Sequence, residues 1–339
     1  MCIPAPKPRR PWICFKKVYP KPPHRNPSLT GQRYGVVSSC QQVSMSQPNQ
    51  PLARVFINSL PKSGTHLLAK TVELFGYREH FAGEANLDDL ARVTPLFINY
   101  REVKDALSRE QKQPAASACG TVAVGTLTPV YVDPTTFAQW LDALAPGQYL
   151  LGHVMYSPAL RPLLADLGYR HLFILRDPRA VVVSLLDFIL ETRGMPRPHF
   201  LQADFRTMTA QARLDFILQG GSAPLAGVTT QGFAAVYRAL LAWEADPDCL
   251  VLRFEDLVGP QGGGSAERQH ATIASIASHL GHSVDEAAAH LATVFDPTSR
   301  TFRTGQIDGW QSELDAVNLA HLNAYCAPLC QAAGYEVIA

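Results

Sequence analysis

The chain has 339 residues, of which 47% are hydrophobic and 17% are charged, which is enough apolar material for one sizeable core or one domain with insertions. Its formal net charge of +1 does not demand a polyanion, so we expect no nucleic-acid partner. The seven cysteines are scattered and lack zinc-site spacing, which favours reduced thiols and a cytoplasmic protein. No apolar run reaches about 18 residues, so no transmembrane segment is expected.

Residues 1–50 differ in composition from all that follows. They contain eight basic residues and many prolines but no acidic residue. Such a segment cannot readily form a helix or bury a core, so we predict a flexible basic arm before a single domain at 51–339. The arm either has no role or makes a weak contact with an acidic surface. Met45, just ahead of the first predicted strand, is an alternative start of translation.

Beyond the arm, predicted strands alternate with predicted helices. This order favours an α/β fold with a central parallel sheet and helices on both faces. The strands are predicted at 54–59, 149–152, 171–175 and 249–254. The helices are predicted at 64–76, 158–167, 179–191, 233–245, 270–280, 284–295 and 314–332.

The first predicted strand runs into a glycine-containing turn. Residues 55–57 form a β-branched and aromatic run, the turn is Lys62-Ser63-Gly64-Thr65, and an apolar-periodic helix follows. A strand, a tight turn and a helix N-terminus direct backbone N–H groups at an anion. Lys62 adds a cation, and Ser63 and Thr65 add hydroxyl donors. The turn therefore predicts a phosphate-binding loop, although in a Walker A loop the lysine follows the last glycine, whereas Lys62 precedes Gly64.

A second strand, turn and helix follow at residues 171–190. Asp177 suits an N-cap and Pro178 suits the first helical position. Arg176 then stands at the carboxyl end of a strand, where open α/β sheets bind ligands. Ser184 lies about two turns into the helix and can direct its hydroxyl towards the same crevice. An arginine fork with a hydroxyl is suited to clamp a terminal phosphate.

Three segments together resemble sulfotransferases that use 3′-phosphoadenosine-5′-phosphosulfate (PAPS). P-K-S-G-T at 61–65 is similar to the family's 5′-phosphosulfate-binding loop, and R-D-P-R-x-x-x-x-S at 176–184 is similar to its 3′-phosphate-binding segment. Arg303-Thr304-Gly305, followed by Gly309-Trp310, resembles a late Arg-Lys-Gly and Gly-Trp signature, with threonine in place of lysine. The resemblance covers residues 54–312 and implies a three-layer sandwich similar to that of P-loop kinases.

The resemblance also implies roles for particular residues. The 5′-phosphosulfate would be held by Lys62, Ser63, Gly64, Thr65 and His66, and the 3′-phosphate by Arg176, Ser184, Arg303, Thr304 and Gly305. Lys62 would also stabilise the charge that develops as the sulfuryl group is transferred in line. Leu67 occupies a position that is often tryptophan in members acting on small phenols, so adenine needs another platform. Thr304 removes one cation from the 3′-phosphate site.

Two residues are candidates for the general base. His153 follows the predicted strand 149–152, where many sulfotransferases carry a histidine that removes the acceptor's proton. Glu84 falls where some carbohydrate- and tyrosine-directed members place a glutamate, and it would need burial to raise its pKa. The favoured assignment is His153. The resemblance requires no metal, and we expect none.

The sequence thus favours transfer of a sulfuryl group from PAPS to a hydroxyl on a sugar, lipid or small metabolite. The long connections near 81–135 and 194–232 are expected to form the acceptor pocket and its lid. Apolar residues there either line that pocket or form a buried helix face, namely Phe200, Phe205, Met208 and Phe216. The alternatives are a P-loop kinase or nucleotidase that uses a triphosphate and magnesium, and a protein that binds PAPS without catalysis.

Overall fold

The computed structural model describes residues 52–80, 94–115, 119–191, 197–283, 294 and 305–338. All of them belong to one unit, Asn49–Ala339. The predicted arm at 1–50, Glu84, Arg303 and Thr304 lie outside the described residues, as does nearly all of the helix predicted at 284–295. The fold is therefore given for the part of the domain that carries most of the predicted site.

Six strands, all parallel, form the central sheet, in the order β10-β7-β1-β6 with β2 and β3 both on the outer edge of β6. The strands are β1 (Arg54–Ser59), β2 (Arg78–Glu79), β3 (Phe97–Ile98), β6 (Gln148–Gly152), β7 (Tyr169–Leu175) and β10 (Cys249–Arg253). Four of them were predicted from the sequence, each to within two residues. Two antiparallel hairpins were not predicted, β4 (Val122–Val124) with β5 (Val130–Val132) and β8 (Gly221–Ala223) with β9 (Val228–Thr230).

Helices cover both faces of the sheet, which confirms the predicted α/β fold. They are α1 (Thr65–Glu73), α2 (Tyr100–Arg109), α3 (Pro134–Asp142), α4 (Leu160–Asp166), α5 (Pro178–Glu191), α6 (Gln202–Thr207), α7 (Ala210–Gln219), α8 (Phe233–Leu241), α9 (Phe254–Leu257), α10 (Ala266–Leu280) and α11 (Ala316–Ala332). Short 3₁₀ turns lie at Ala242–Ala245, Pro260–Gly262 and Gly309–Ser312. No helix within these described ranges is long and apolar enough to cross a bilayer.

The core has two layers, one on each face of the sheet. Phe56 packs in the layer with α3, α5, α8 and α11, whereas its neighbours Val55 and Ile57 pack in the layer with α1 and α10. Successive side chains of a strand point to opposite faces, so one short run of β1 contributes to both layers. Parallel strands buried on both faces are continuously apolar, which explains why β1 was readable in the sequence.

His171, in the middle of β7, is a polar side chain within this core. It is 3% exposed, and its ring lies 5.4 Å from the Phe56 ring and 4.6 Å from the Trp243 ring. Neither ring nitrogen has a hydrogen-bond partner. Burial, together with repulsion from His279, lowers the pKa of His171 from 6.5 to about 3. The folded protein therefore holds this ring neutral at neutral pH.

We expect this ring to make the protein sensitive to acid. The unfolded chain protonates His171 near its ordinary pKa of 6.5, but the folded chain does so only near 3, so stability falls as the pH drops below 6.5. Between about pH 7.5 and about pH 5 this histidine alone removes about 2 kcal/mol from the free energy of unfolding. Urea titrations of the parent and of His171→Leu at both values measure it. An equal acid loss in the two proteins would contradict the assignment.

Candidate active site at the carboxyl edge of the sheet

The registers of the central strands bring the predicted site residues to one edge of the sheet. Asn58 of β1 pairs with Gly152 of β6 and with Phe173 of β7, and Leu175 of β7 pairs with Arg253 of β10. Because the strands are parallel, the segments that follow them leave from the same edge. These segments begin with the turn at 60–64, with His153, with Arg176 and with helix α9.

The turn between β1 and α1 has the backbone of an anion cradle. Lys62 (φ 72°) and Gly64 (φ 104°) both adopt positive φ, and Ser63 N donates to Leu60 O at 3.1 Å. Gly64 is the N-cap of α1 and carries no side-chain cap, so the first amides of the helix have no side-chain partner there. The Ser63 hydroxyl is buried and has no hydrogen-bond partner. A buried donor without an acceptor beside a helix N-terminus fits an oxyanion.

Gly64 is required by space as well as by conformation. A Cβ at this position would lie 2.8 Å from the ring of Phe254 and 3.2 Å from Ile174 Cδ1. Phe254 begins α9, so the turn after β1 packs closely on the segment after β10. The tightness of the turn therefore depends on the sheet order as well as on its own sequence.

Arg176 joins three segments at this edge. Its guanidinium donates to Lys62 O at 3.2 Å and to Gln306 O at 3.0 Å, and it lies 4.2 Å from the centre of the Phe254 ring. Gln306 follows Gly305, whose φ is 61°, so the described end of the third sequence segment lies beside Arg176. The predicted capping is also present, because the Asp177 carboxylate accepts from Arg179 N at 2.8 Å.

His153 lies next to the end of β1, with its ring against Phe97 at 4.7 Å between centroids. Its Nδ1 is 2.9 Å from the backbone oxygen of Ser59, which can only accept, so Nδ1 carries the proton and Nε2 is the basic nitrogen. Burial lowers the pKa of His153 to about 4, with smaller contributions from the charges of His66 and Lys62. Although the ring is enclosed by protein, the residue retains partial solvent access. His153 is therefore a neutral, oriented acceptor at neutral pH.

Lys62 contacts helix α5 at Phe188, four residues after Ser184. The Lys62 ammonium lies 4.5 Å from the centre of the Phe188 ring, a cation–π distance. Ser184 is buried and stands one turn before Phe188, on the same side of α5. His66 lies close enough to this cation that burial and the Lys62 charge both lower its pKa.

Several residues of the site were not identified from the sequence. The sequence predicts Ser59 only as the last residue of a strand, and Phe97 lies in a region without periodicity. Phe188 could have been found from its spacing of four after Ser184.

Phe205 is fully buried in the core and meets Phe216 edge to face at 5.6 Å, whereas Phe200 stacks on His199 at 4.5 Å. Phe205 thus serves the core and does not line a pocket.

Two carboxylates described at this edge already have partners. Asp177 is paired with Arg179 at 2.6 Å. Glu255 accepts from Asp177 N and from the Tyr335 hydroxyl, both at 3.0 Å, and burial raises its pKa. Within the described part of the chain, no group of three metal-binding side chains is placed to hold a metal ion.

No protein-family model and no curated protein sequence matches the chain. Its fold is similar to that of mouse sulfotransferase SULT7A1 complexed with PAP, with 14% identity, a TM-score of 0.46, and coverage of 82% of this chain and 85% of that one. The fold is also similar to that of retinol dehydratase in complex with androsterone and inactive cofactor PAP. The identity is 15%, the TM-score is 0.43, and the match covers 82% of this chain and 80% of that one. For retinol dehydratase in a complex with retinol and PAP, the identity is 17%, the TM-score is 0.43, and the match covers 84% of this chain and 82% of that one. Similarity this weak supports no inference about the activity of this chain.

We expect Gly64→Ala to destabilise the protein by about 3 kcal/mol, because the substitution adds a left-handed alanine and a clash with Phe254. The matched control is Gly281→Ala, whose φ of 81° is similar but whose Cβ would meet nothing within 4 Å. The control should lose only about 1 kcal/mol. Urea denaturation measures both variants. Equal losses of unfolding free energy in the two variants would show that the close approach of Phe254 does not add to the cost of Gly64→Ala.

Proposed function

We propose that the chain is a sulfotransferase that moves the sulfuryl group of PAPS to an acceptor hydroxyl, with His153 as the general base. The observation that carries this proposal is the convergence of an anion cradle, two cations and an unprotonated imidazole at one sheet edge. Hydrogen bonds join them, from Arg176 to the backbone of Lys62 and from His153 to the backbone of Ser59. Sulfuryl transfer needs each of these groups.

The proposal assigns the two ends of the nucleotide to the two strand-turn-helix units. The turn at 62–65, with the Ser63 hydroxyl and the amides at the start of α1, would bind the 5′-phosphosulfate, with His66 beside it. Arg176, Ser184 and the segment that includes Gly305 would bind the 3′-phosphate, together with Arg303 and Thr304. The sequence resemblance supports this assignment, and so does the proximity of Arg176 to Gln306.

In the reaction, His153 Nε2 takes the proton of the acceptor hydroxyl while the acceptor oxygen forms its bond to sulfur. The bond between sulfur and the bridging oxygen breaks, and its electron pair leaves with the 5′-phosphate. Lys62 stabilises the negative charge that develops there. The acceptor is then a sulfate ester and His153 is an imidazolium, which returns its proton to water. The acceptor is a sugar, lipid or small metabolite that bears a hydroxyl, and a cytoplasmic location stays a prediction.

We expect isothermal titration to show binding of 3′-phosphoadenosine-5′-phosphate (PAP) that depends on its 3′-phosphate. Arg176→Ala should weaken PAP binding about 10- to 100-fold, because a charge-assisted hydrogen-bonding group is lost. The matched control is Arg161→Ala, which removes an arginine that pairs with Asp248 at the opposite edge of the sheet. The control should bind PAP as the parent does. If the nucleotide binds equally well without its 3′-phosphate, or if ATP with magnesium binds more tightly than PAP, the proposal would be overturned in favour of a kinase or nucleotidase.

We expect kcat/KM for PAPS, which reports the protein before the nucleotide binds, to stay nearly constant from about pH 8 to about pH 5.5 and to fall only as the pH approaches about 4. His153 is the active base when unprotonated, and its lowered pKa of about 4 keeps it so across that range. His153→Ala should lower kcat by about 100-fold or more and leave PAP affinity within about threefold.

Three outcomes would contradict parts of this assignment. An acid limb with its midpoint at the ordinary histidine value would show that His153 is not desolvated. Full turnover in His153→Ala would move the base to Glu84. If the parent binds PAP but turns over no hydroxyl acceptor, the results would favour the alternative that the protein binds PAPS without catalysis.

A further inference from the structure

We infer that Ser59 is a positioning residue that couples the base to the phosphate-binding turn through a directed chain of hydrogen bonds. The chain runs from His153 Nδ1 to Ser59 Oγ, from Ser59 Oγ to Thr65 Oγ1, and from Thr65 Oγ1 to an anion held on the turn. Its chemical role rests on the proposed function, whereas its geometry needs only an anion beside Thr65.

The inferred chain assigns one direction to each hydrogen bond, starting from the proton on His153 Nδ1. His153 Nδ1 is 3.3 Å from Ser59 Oγ and 2.9 Å from Ser59 O, so one N–H is shared between the two oxygens of the same residue. Because Nδ1 donates, Ser59 Oγ accepts from it, and in the inferred chain Ser59 directs its own proton to Thr65 Oγ1, 2.6 Å away. Thr65 then accepts from Ser59 and keeps its own proton for a third partner. Thr65 is the first residue of α1, so that proton is available to an anion on the turn.

The chain lies where water does not compete. Ser59 is fully buried and Thr65 is 6% exposed. Hydrogen bonds in such surroundings are electrostatically stronger than in water, and successive ones polarise each other. A change of charge at one end of the chain is therefore felt at the other.

Asn58 holds Ser59 and the backbone next to His153 in place. Its Oδ1 accepts from Ser59 N at 3.0 Å and from Val154 N at 2.9 Å, and its Nδ2 donates to Val154 O at 2.9 Å. Val154 follows His153, so one buried amide joins the end of β1 to the backbone that carries the base. Trp243 Nε1 donates to the same Val154 oxygen at 3.1 Å. The His153–Ser59 distance is therefore set by the fold.

The chain strengthens at both ends as the proposed reaction proceeds. When Nε2 takes the acceptor proton, the ring becomes an imidazolium and its Nδ1–H becomes a stronger donor. At the same time the departing 5′-phosphate gains negative charge and becomes a stronger acceptor for Thr65. No proton changes its heavy atom along the chain; the hydrogen bonds only shorten. Ser59 thus favours the transition state over the ground state, and its loss should lower kcat more than it raises KM.

The kinetic test compares serine and threonine variants of the chain. Ser59→Ala keeps the backbone carbonyl that fixes the tautomer of His153, and we expect it to lower kcat about tenfold with little change in KM. Thr65→Val should have a similar effect and Thr65→Ser should restore most of the rate. The matched control is Ser157→Ala, which removes a buried hydroxyl that donates to Thr121 O at 3.0 Å and takes no part in the chain. A kcat of Ser59→Ala within twofold of the parent, or an equal loss in the control, would overturn the inference.

A spectroscopic test separates coupling from a structural role. The Nδ1–H proton resonance of His153, assigned by its loss in His153→Gln, should move downfield when PAP is added to the full chain. In Ser59→Ala the movement should be largely lost, although PAP still binds. Inorganic sulfate is a second probe, because an anion alone is enough to accept a hydrogen bond from the Thr65 hydroxyl.

The outcomes separate this inference from the proposed function. If sulfate shifts the Nδ1–H resonance and PAP does not bind, the chain of hydrogen bonds stands and the sulfotransferase proposal falls. If PAP binds and hydroxyl acceptors are turned over, but the resonance moves equally in the parent and in Ser59→Ala, the proposed function stands and the role of Ser59 falls. A resonance that responds to neither anion overturns the role of Ser59 as well.

Discussion

The structure depends on the parallel register of β1 with both of its neighbours. β1 lies between β6 and β7, where its Asn58 pairs with Gly152 on one side and its Ser59 pairs with Ile174 on the other. A slip of one residue would exchange Phe56 with Val55 or Ile57 between the two core layers and would move Ser59 away from His153. Burial on both faces prevents such a slip, since all three of those side chains are fully buried. The geometry of the site is thus a consequence of core packing.

Desolvation is the second constraint, and it acts on the imidazoles at this edge of the sheet. Burial holds the imidazoles of His66 and His153 neutral, and the nearby Lys62 reinforces this. An imidazole with a lowered pKa is a weak base before an anion arrives. A negative charge on the turn favours the protonated form of His153, so the base becomes stronger when the turn is filled. A directed hydrogen bond from Nδ1 acts in the same sense, because it stabilises the imidazolium.

The features that could be predicted from the sequence are those encoded within a few residues. The strand at 54–59, the turn after it and the Asp177–Pro178 helix start were all read locally and are present. The hairpins were missed because each of their strands has only three residues. The partnership of Ser59 with His153 was missed for a different reason. It spans 94 residues of sequence, and only the order of the strands brings the two side chains together. Phe97 meets His153 through a two-residue strand that has no periodic signal.

In the proposed site, Arg176 would serve both ligand binding and local structure. It donates to backbone oxygens of two separate segments, at Lys62 and Gln306, and stacks on Phe254 of a third. The segment at 305–307 is further tied to Gly262, whose oxygen accepts from Ile307 N at 3.1 Å. Gly262 can pack there because it has no side chain, since a Cβ would lie 2.5 Å from Gly305 O. A guanidinium that is already oriented by these contacts loses little further freedom when it meets a phosphate, so its hydrogen bonds contribute more of their energy to affinity. The same contacts already hold the turn at 62–64 and the segment at 305–307 together.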